Sequence, residues 1–281
     1  MELVETPDEA RYTSYPAPDD LRGVLQRILH GWSELERRPR IRIPPTGGLF
    51  ISYVAGAPLR VHFSDRVYDR RPRYFIGGKL RREHPLMESL GPLGLFGCEL
   101  APTGFYRLFH RTADGFTDDI ADFAALFPEQ AAWLDTHLDP QVPAAETVAA
   151  FETFFRQLQD TALETSEIDA VLDEIAEARG MVAIADIARK AGLSERQLHR
   201  AFVRIVGIPP KHHAKIVQIQ SVMCALEAGD SNTLASLAAD HGYFDQSHFI
   251  RDFKRYIRAN PVHFLRSGSD FLHTYILNMR A

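Results

Sequence analysis

One local pattern occurs twice in the C-terminal half of this chain: a short amphipathic helix, a turn that contains glycine, and a second amphipathic helix. In the first copy the two helices are predicted over residues 184–190 and 194–206. In the second copy the corresponding segments are 234–245, which includes the turn, and 246–257. Two short helices joined by a tight turn form a helix-turn-helix. A duplicated unit is much stronger evidence for this fold than a single occurrence.

The two copies also correspond position by position. Each has an N-cap residue, two inward-facing apolar anchors and an outward-facing arginine. These are Ser194 with Asp245, Leu198 and Phe202 with Phe249 and Phe253, and Arg200 with Arg251.

A long amphipathic helix is predicted between the copies. Pro209 and Pro210 are typical of a helix start, and residues 211–228 continue the pattern to a stop at Gly229. A helix of about 18 residues spans roughly 27 Å. Recognition helices that enter the major groove from one side of a DNA duplex lie about 34 Å apart. With the helix ends added the distances are compatible, so the sequence predicts contact with adjacent major-groove segments and some bending of the DNA.

The first 110 residues have a different character, because short apolar runs alternate there with turns rich in Gly and Pro. This pattern predicts a small antiparallel sheet or barrel. The predicted strands are 49–54, 59–63, 73–76, 93–96 and 105–109. A helix is predicted before them, over residues 20–35, because apolar residues recur there at i, i+3 and i+4.

From about residue 118 the pattern becomes helical. Asp118 is predicted to begin a helix, Pro128 to occupy a first helical position, Pro143 to start a longer helix and Ser166 to cap the next one. The apolar positions of the longer helix are Val148, Phe151, Phe154, Phe155 and Leu158. They form a wide face that can pack on the β-rich domain or pair with a second protomer, and the sequence leaves both alternatives open.

Composition excludes several classes of protein. A chain of 281 residues that is 45% hydrophobic is long enough for two ordinary cores, which excludes disordered and fibrous proteins. Cys98 and Cys224 lie far apart, which excludes a disulfide scaffold or a cysteine-rich zinc module. The acidic N-terminus is unlike a secretory signal, and no apolar run reaches the length of a membrane span. We therefore expect a cytoplasmic protein with no membrane contact.

The formal net charge of −5 conceals an asymmetry. Residues 181–266 carry twelve Lys and Arg against seven Asp and Glu, whereas residues 1–180 carry nineteen against twenty-nine. The C-terminal half is therefore basic, as expected of a domain that binds a polyanion. The acidic N-terminal half is expected to stay off DNA.

The segments 184–211 and 237–254, with Pro261, resemble the AraC/XylS family of bacterial transcription regulators. The resemblance covers about residues 166–268. It implies a tandem helix-turn-helix domain that binds double-stranded DNA, a variable sensing or dimerising domain, and RNA polymerase as a partner. Residues 93–105 are similar to part of a compact β domain found in a subset of these regulators.

The resemblance also assigns roles to particular residues. Arginine can bind guanine and glutamine can bind adenine bidentately, whereas lysine and arginine also contact phosphate. The family's base-contacting positions fall on Arg196, His199, Arg200, Gln246, Ser247, His248 and Arg251. Lys190, Arg204, Lys211, Lys254 and Arg255 are placed for phosphate. Two departures from the family pattern are Gln218, where relatives commonly carry Arg, and residues 256–260, which replace a turn that bears glycine.

These patterns together predict an α+β protein of two domains. We expect a β-rich sensing or dimerisation domain, barrel-like or cupin-like, over residues 1–117, a helical connector over 118–165, and an AraC-type DNA-binding domain over 166–281. The expected function is sequence-specific transcription regulation, as an activator and homodimer, controlled by dimerisation or by an unidentified small effector.

The alternative is that the β-rich half is an enzyme or a metal-dependent protein tethered to DNA. His30, His62, His84 and His110 show no metal-ligand spacing, and no catalytic constellation is recognisable in this half. Cys98 is expected to be a buried apolar residue. We therefore predict no catalytic residue, no metal and no cofactor.

Overall fold

The N-terminal half folds into two antiparallel sheets. The computed structural model describes residues 11–33, 41–69, 73–139, 142–229 and 233–266. Its strands are β1 (Arg11–Pro16), β2 (Leu25–Ser33), β3 (Ile41–Arg42), β4 (Phe50–Gly56), β5 (Leu59–His62), β6 (Val67–Tyr68), β7 (Tyr74–Gly77), β8 (Leu86–Ser89), β9 (Leu93–Leu100) and β10 (Ile120–Asp122). One sheet has the order β1-β2-β9-β4-β7-β10 and the other β3-β8-β5-β6. In this part of the chain the strands form two separate sheets, which resolves the choice between sheet and barrel.

The helix predicted over residues 20–35 is wrong, because residues 25–33 form strand β2. This strand pairs with β1 on one side and with β9 on the other. Arg27, Ile28 and Leu29 are buried in succession, so both faces of the strand are covered. A strand covered on both faces loses the alternation that distinguishes it from a helix.

The predicted strand at 105–109 is also wrong. These residues belong to helix α1 (Gly104–Phe109), which buries Phe105, Leu108 and Phe109 on one face at helical spacing. The aromatic residues favour a strand, but the apolar residues recur at the i, i+3 and i+4 spacing of a helix, and a helix forms. Phe105 and Phe109 stack there with ring centroids 5.2 Å apart.

The segment after residue 118 is helical only in part. Asp118 adopts a left-handed backbone with φ 59°, and residues 120–122 add strand β10 beside β7, contrary to the predicted helix start. Helix α2 (Phe123–Leu126) is capped by Asp122, and α3 (Pro128–His137) begins at Pro128 as predicted.

Helix α4 (Ala144–Gln159) packs its apolar face on the larger sheet. Val148, Phe151, Phe154 and Phe155 are all buried in the N-terminal core. The ring of Phe151 lies 6.3 Å from that of Phe96. Of the two alternatives for this face, core packing is therefore the one observed.

The C-terminal half is helical and has a hydrophobic core of its own. Its helices are α5 (Ser166–Glu177), α6 (Ile184–Lys190), α7 (Glu195–Val206), α8 (Pro210–Ala228), α9 (Leu234–Asp240), α10 (Gln246–Ile257) and α11 (Pro261–Arg266). Thr165 rather than Ser166 occupies the N-cap of α5, and its hydroxyl donates to Asp169 at 2.7 Å. Within the described residues, no helix is both long and apolar enough to cross a membrane.

Candidate nucleic-acid interface

The first helix-turn-helix unit consists of α6 and α7. Ser194 and Gln197 form a capping box, in which the Ser194 amide donates to Gln197 Oε1 at 2.9 Å and the Gln197 amide donates to Ser194 Oγ at 3.3 Å. Leu198 and Phe202 are completely buried, so they anchor α7 in the core as predicted. Arg196, His199 and Arg200 are exposed on the other side of the same helix.

The second unit consists of α9 and α10 and repeats this arrangement. Asp245 caps α10 by accepting a hydrogen bond from the His248 amide at 2.7 Å. Phe249 and Phe253 are the buried anchors. The remaining candidate side chains, Gln246, Ser247 and Arg251, are exposed. His248 is half-exposed, and its Nε2 lies 3.6 Å from the carboxylate of Asp252.

Helix α8 connects the two units. Ile216, Ile219, Val222 and Met223 are buried along its length, within the same core as the anchors of both units. Because both units share one core with a helix of 19 residues, their relative position is fixed by packing.

Residues 187–267 match the family model described as a helix-turn-helix domain. The match begins within α6 and covers the rest of the first unit, the connecting helix α8 and the second unit. This match agrees with the resemblance of both units to the AraC/XylS family. The matched region is thus a helix-turn-helix domain, a type of fold that binds DNA.

Several solved structures align with this chain at low sequence identity. ToxT from Vibrio cholerae aligns over 92% of this chain and 99% of its own, with 9% identity and a TM-score of 0.48. A probable AraC family transcriptional regulator from Rhodopseudomonas palustris covers 37% of this chain and 99% of its own, with 24% identity and a TM-score of 0.33. The AraC-like transcriptional activator CuxR covers 75% and 80%, with 11% identity and a TM-score of 0.31. No curated protein matches the sequence.

Gln218, the first departure from the AraC/XylS pattern, makes hydrogen bonds of its own. It is buried on α8, and its Nε2 donates to the His241 carbonyl in the turn of the second unit at 2.6 Å. Lys215 donates to Gln218 Oε1 at 2.6 Å and pairs with Asp252 at 2.9 Å. An amide at this position therefore links the connecting helix to the second unit.

The second departure affects the end of α10. The helix continues to Ile257, and Arg258 takes the left-handed conformation at its C-cap, with φ 60°. Glycine is favoured at such a position because it has no Cβ. Helix α10 therefore ends at an arginine whose backbone is strained by its Cβ.

The phosphate candidates differ in their surroundings. All five are exposed, but three of them also have a neighbour within the chain. Lys190 donates to the carboxylate of Glu174. The Arg204 guanidinium lies 5.6 Å from the ring centroid of Tyr106, on α1 of the N-terminal half. Arg255 lies over the ring of Tyr256 at 5.9 Å.

The N-terminal half docks against the DNA-binding domain, which sequence reasoning did not predict. The Ala113 amide donates to the Arg204 carbonyl at 3.0 Å, and the Thr117 hydroxyl donates to the Gly207 carbonyl at 2.6 Å. The ring Nε2 of His212 lies 3.3 Å from the Leu80 carbonyl. These contacts involve loop backbone, which carries no periodic signal in the sequence.

An apolar cavity of about 100 Å³ lies between the two sheets. Both sheets contribute to its wall, through residues that include Leu29, Phe50, Phe75, Val61 and Met87. Phe63, at the end of the predicted strand 59–63, also lines it. Such a cavity suits a small apolar ligand.

The histidines and cysteine of the N-terminal half have other surroundings. His62 bonds Glu88 at 3.0 Å, and the ring of His30 stacks on Phe96 at 4.3 Å. Burial lowers the pKa of His84 to about 4 and raises that of the fully buried Cys98 thiol. Among the described residues, no group of three His, Cys, Asp or Glu side chains is placed to hold a metal ion.

Proposed function

We propose that this regulator places α7 and α10 in adjacent major-groove segments and reads base pairs with both. The observation that supports this most directly is the matched exposure of polar side chains on two helices whose other faces are buried in one core. Arg196, His199 and Arg200 would act in one segment. In the other segment the base contacts would come from Gln246, Ser247, His248 and Arg251.

Phosphate contacts are proposed to orient the domain without reading sequence. Lys211 and Lys254 are exposed and suit this role directly. Lys190, Arg204 and Arg255 would exchange a contact within the chain for a phosphate. Each phosphate neutralised releases counterions, so binding is expected to weaken steeply with salt.

The test begins with selection of genomic fragments that the full chain binds. The affinities of Arg200→Ala, Arg251→Ala and Lys254→Ala are then measured on a selected duplex and on a random duplex. Each arginine variant is expected to lose about 5- to 100-fold on the selected duplex and much less on the random one. Lys254→Ala is the matched control, since loss of a phosphate contact weakens both duplexes about equally. Equal losses on both duplexes for both arginine variants would exclude the assigned roles.

We further propose that a small apolar effector occupies the cavity between the sheets and changes DNA binding. The cavity wall and the docking of the N-terminal half on the C-terminal end of α7 support this coupling. A ligand that binds the folded protein raises its melting temperature. We expect a compound from an apolar panel to raise the melting temperature of the wild type and to lose this effect in Met87→Trp, which fills the cavity.

Two finer proposals follow from the family resemblance: the regulator acts as an activator through RNA polymerase, and it works as a homodimer through its N-terminal half. Transcription from a selected fragment tests activation, and sedimentation of the full chain tests dimerisation. A monomer at every concentration, or repression from that fragment, would contradict them.

A further inference from the structure

The turns of the two helix-turn-helix units can be aligned by their backbone hydrogen bonds. Gly192 and Gly242 have φ of +69° and +70°, and their amides donate to Arg189 and Ala239 at 3.1 Å in both units. The next residue, Leu193 or Tyr243, donates to the carbonyl five positions before it, at 2.9 Å in each case. The two turns are therefore equivalent up to this residue.

After this point the second turn is one residue longer. Ser194 follows Leu193 directly and caps α7, whereas Phe244 stands between Tyr243 and the N-cap Asp245 of α10. Phe244 is thus an additional residue, placed immediately before the helix that carries Gln246.

Phe244 is 93% exposed, whereas the other exposed large apolar side chains of the described residues range from 39% to 55%. Phe244 does not belong to the hydrophobic core, which contains Tyr243 before it and the anchor Phe249 after it. Its ring therefore contributes no core packing, and a polar residue would suit this position in free solution better.

We propose that Phe244 reads thymine, by contacting the C5-methyl group in the major-groove segment occupied by α10. This rests on the proposed function of α10. The N-terminal end of a recognition helix is the part that approaches base edges, and Phe244 lies two residues from Gln246. A phenyl ring offers no hydrogen bond, so the thymine methyl is the base-edge group that it can recognise.

The first unit has no equivalent of this residue. On α10, Gln246 favours adenine and Phe244 favours thymine, and one arginine, Arg251, favours guanine. On α7, two arginines, Arg196 and Arg200, favour guanine. The half-site under α10 is therefore expected to contain more A·T pairs than the half-site under α7.

The experiment uses the full chain and a selected duplex. Each thymine of the α10 half-site is replaced in turn by deoxyuridine, which lacks only the methyl group. We expect one such replacement to weaken wild-type binding about 5-fold and to have no effect on Phe244→Ala. Phe244→Leu, which keeps an apolar side chain, is expected to keep most of the methyl dependence. Val67→Ala, which shortens another exposed apolar side chain, is the control and should bind like the wild type.

Wild-type affinity for Phe244→Ala, or equal deoxyuridine effects in the variant and the wild type, would overturn the proposal. Intact DNA binding by Phe244→Ala with loss of transcription by added RNA polymerase would assign the ring to a protein partner and would also overturn it. Arg251→Ala is measured in parallel. If both Arg251→Ala and Phe244→Ala bind DNA with wild-type affinity, the proposed function of α10 fails. If Phe244→Ala binds with wild-type affinity and Arg251→Ala does not, only this inference fails.

Discussion

Lys79 carries a titratable amine into the interior near the docked domains. Its side chain is 1% exposed, and its Nζ is 3.5 Å from the Pro102 carbonyl. Burial lowers the pKa of Lys79 to about 7, although the carboxylate of Glu99 acts in the opposite direction. Burial also lowers the pKa of His213 on α8 well below its usual value, and the charge of Lys79 adds to this effect. Protonation of either group is therefore unfavourable in the folded chain.

The pKa of Lys79 gives a prediction with a definite sign. Between about pH 7 and the ordinary value of 10.5, the unfolded chain holds a proton that the folded chain has released, so the free energy of unfolding rises with pH. Lys79→Met removes this group and is expected to flatten the rise. Urea unfolding at pH 7 and pH 9 measures it. Lys211→Met, at an exposed lysine, should keep the wild-type slope, and a slope unchanged by Lys79→Met would contradict the account.

At the scale of single elements, Gly180 determines how closely α5 approaches α8. A Cβ on Gly180 would lie 2.1 Å from the Ala214 carbonyl oxygen, and its φ is +76°. Gly192 has φ +69°, but a Cβ there would have nothing within 4 Å. A side chain at Gly192 would therefore meet backbone strain alone, whereas a side chain at Gly180 would meet backbone strain and steric overlap.

Alanine at each glycine tests this difference. Gly192→Ala is expected to cost about 1–2 kcal/mol of unfolding free energy from the left-handed backbone alone. Gly180→Ala should cost about 1–3 kcal/mol more, because the overlap is with backbone atoms that cannot move aside. Chemical denaturation of the two variants measures the difference, and equal losses would show that α5 moves away without cost.

The elements also show which parts of the fold the sequence predicts. The helices of the two helix-turn-helix units and of α8 are predicted correctly because caps, apolar spacing and glycine stops are local signals, as at Ser194, Asp245 and Gly229. Strand β2 is missed because its neighbours bury both of its faces. Helix α1 is missed because its aromatic residues favour strands. The candidate base-contacting side chains lie on the exposed faces of α7 and α10, as their spacing in the sequence predicts. The contact of Arg204 with Tyr106 depends on a segment far away in the sequence.

The whole molecule combines a basic DNA-binding half with an acidic half docked beside it. Arg204 and Lys254 are both exposed, but the Arg204 guanidinium also lies 5.6 Å from the ring centroid of Tyr106 across this boundary. Lys254→Ala is therefore expected to reduce the slope of log affinity against log salt by about 1, and Arg204→Ala to reduce it by less. Titrations with a selected duplex at several salt concentrations measure both slopes. Equal reductions would mean that the halves separate on DNA.

The hydrogen bonds from Ala113 and Thr117 have a consequence for how such regulators can be recombined. The last carbonyls of a helix have no partner within the helix, and those of Arg204 and Gly207, at the end of α7, receive theirs from the other half of the chain. In an exchange of sensing halves between regulators, the new half would therefore have to supply equivalent donors to the end of α7. A crossover placed at residue 166 would remove Ala113 and Thr117, and with them the donors to the Arg204 and Gly207 carbonyls at the end of the first recognition helix.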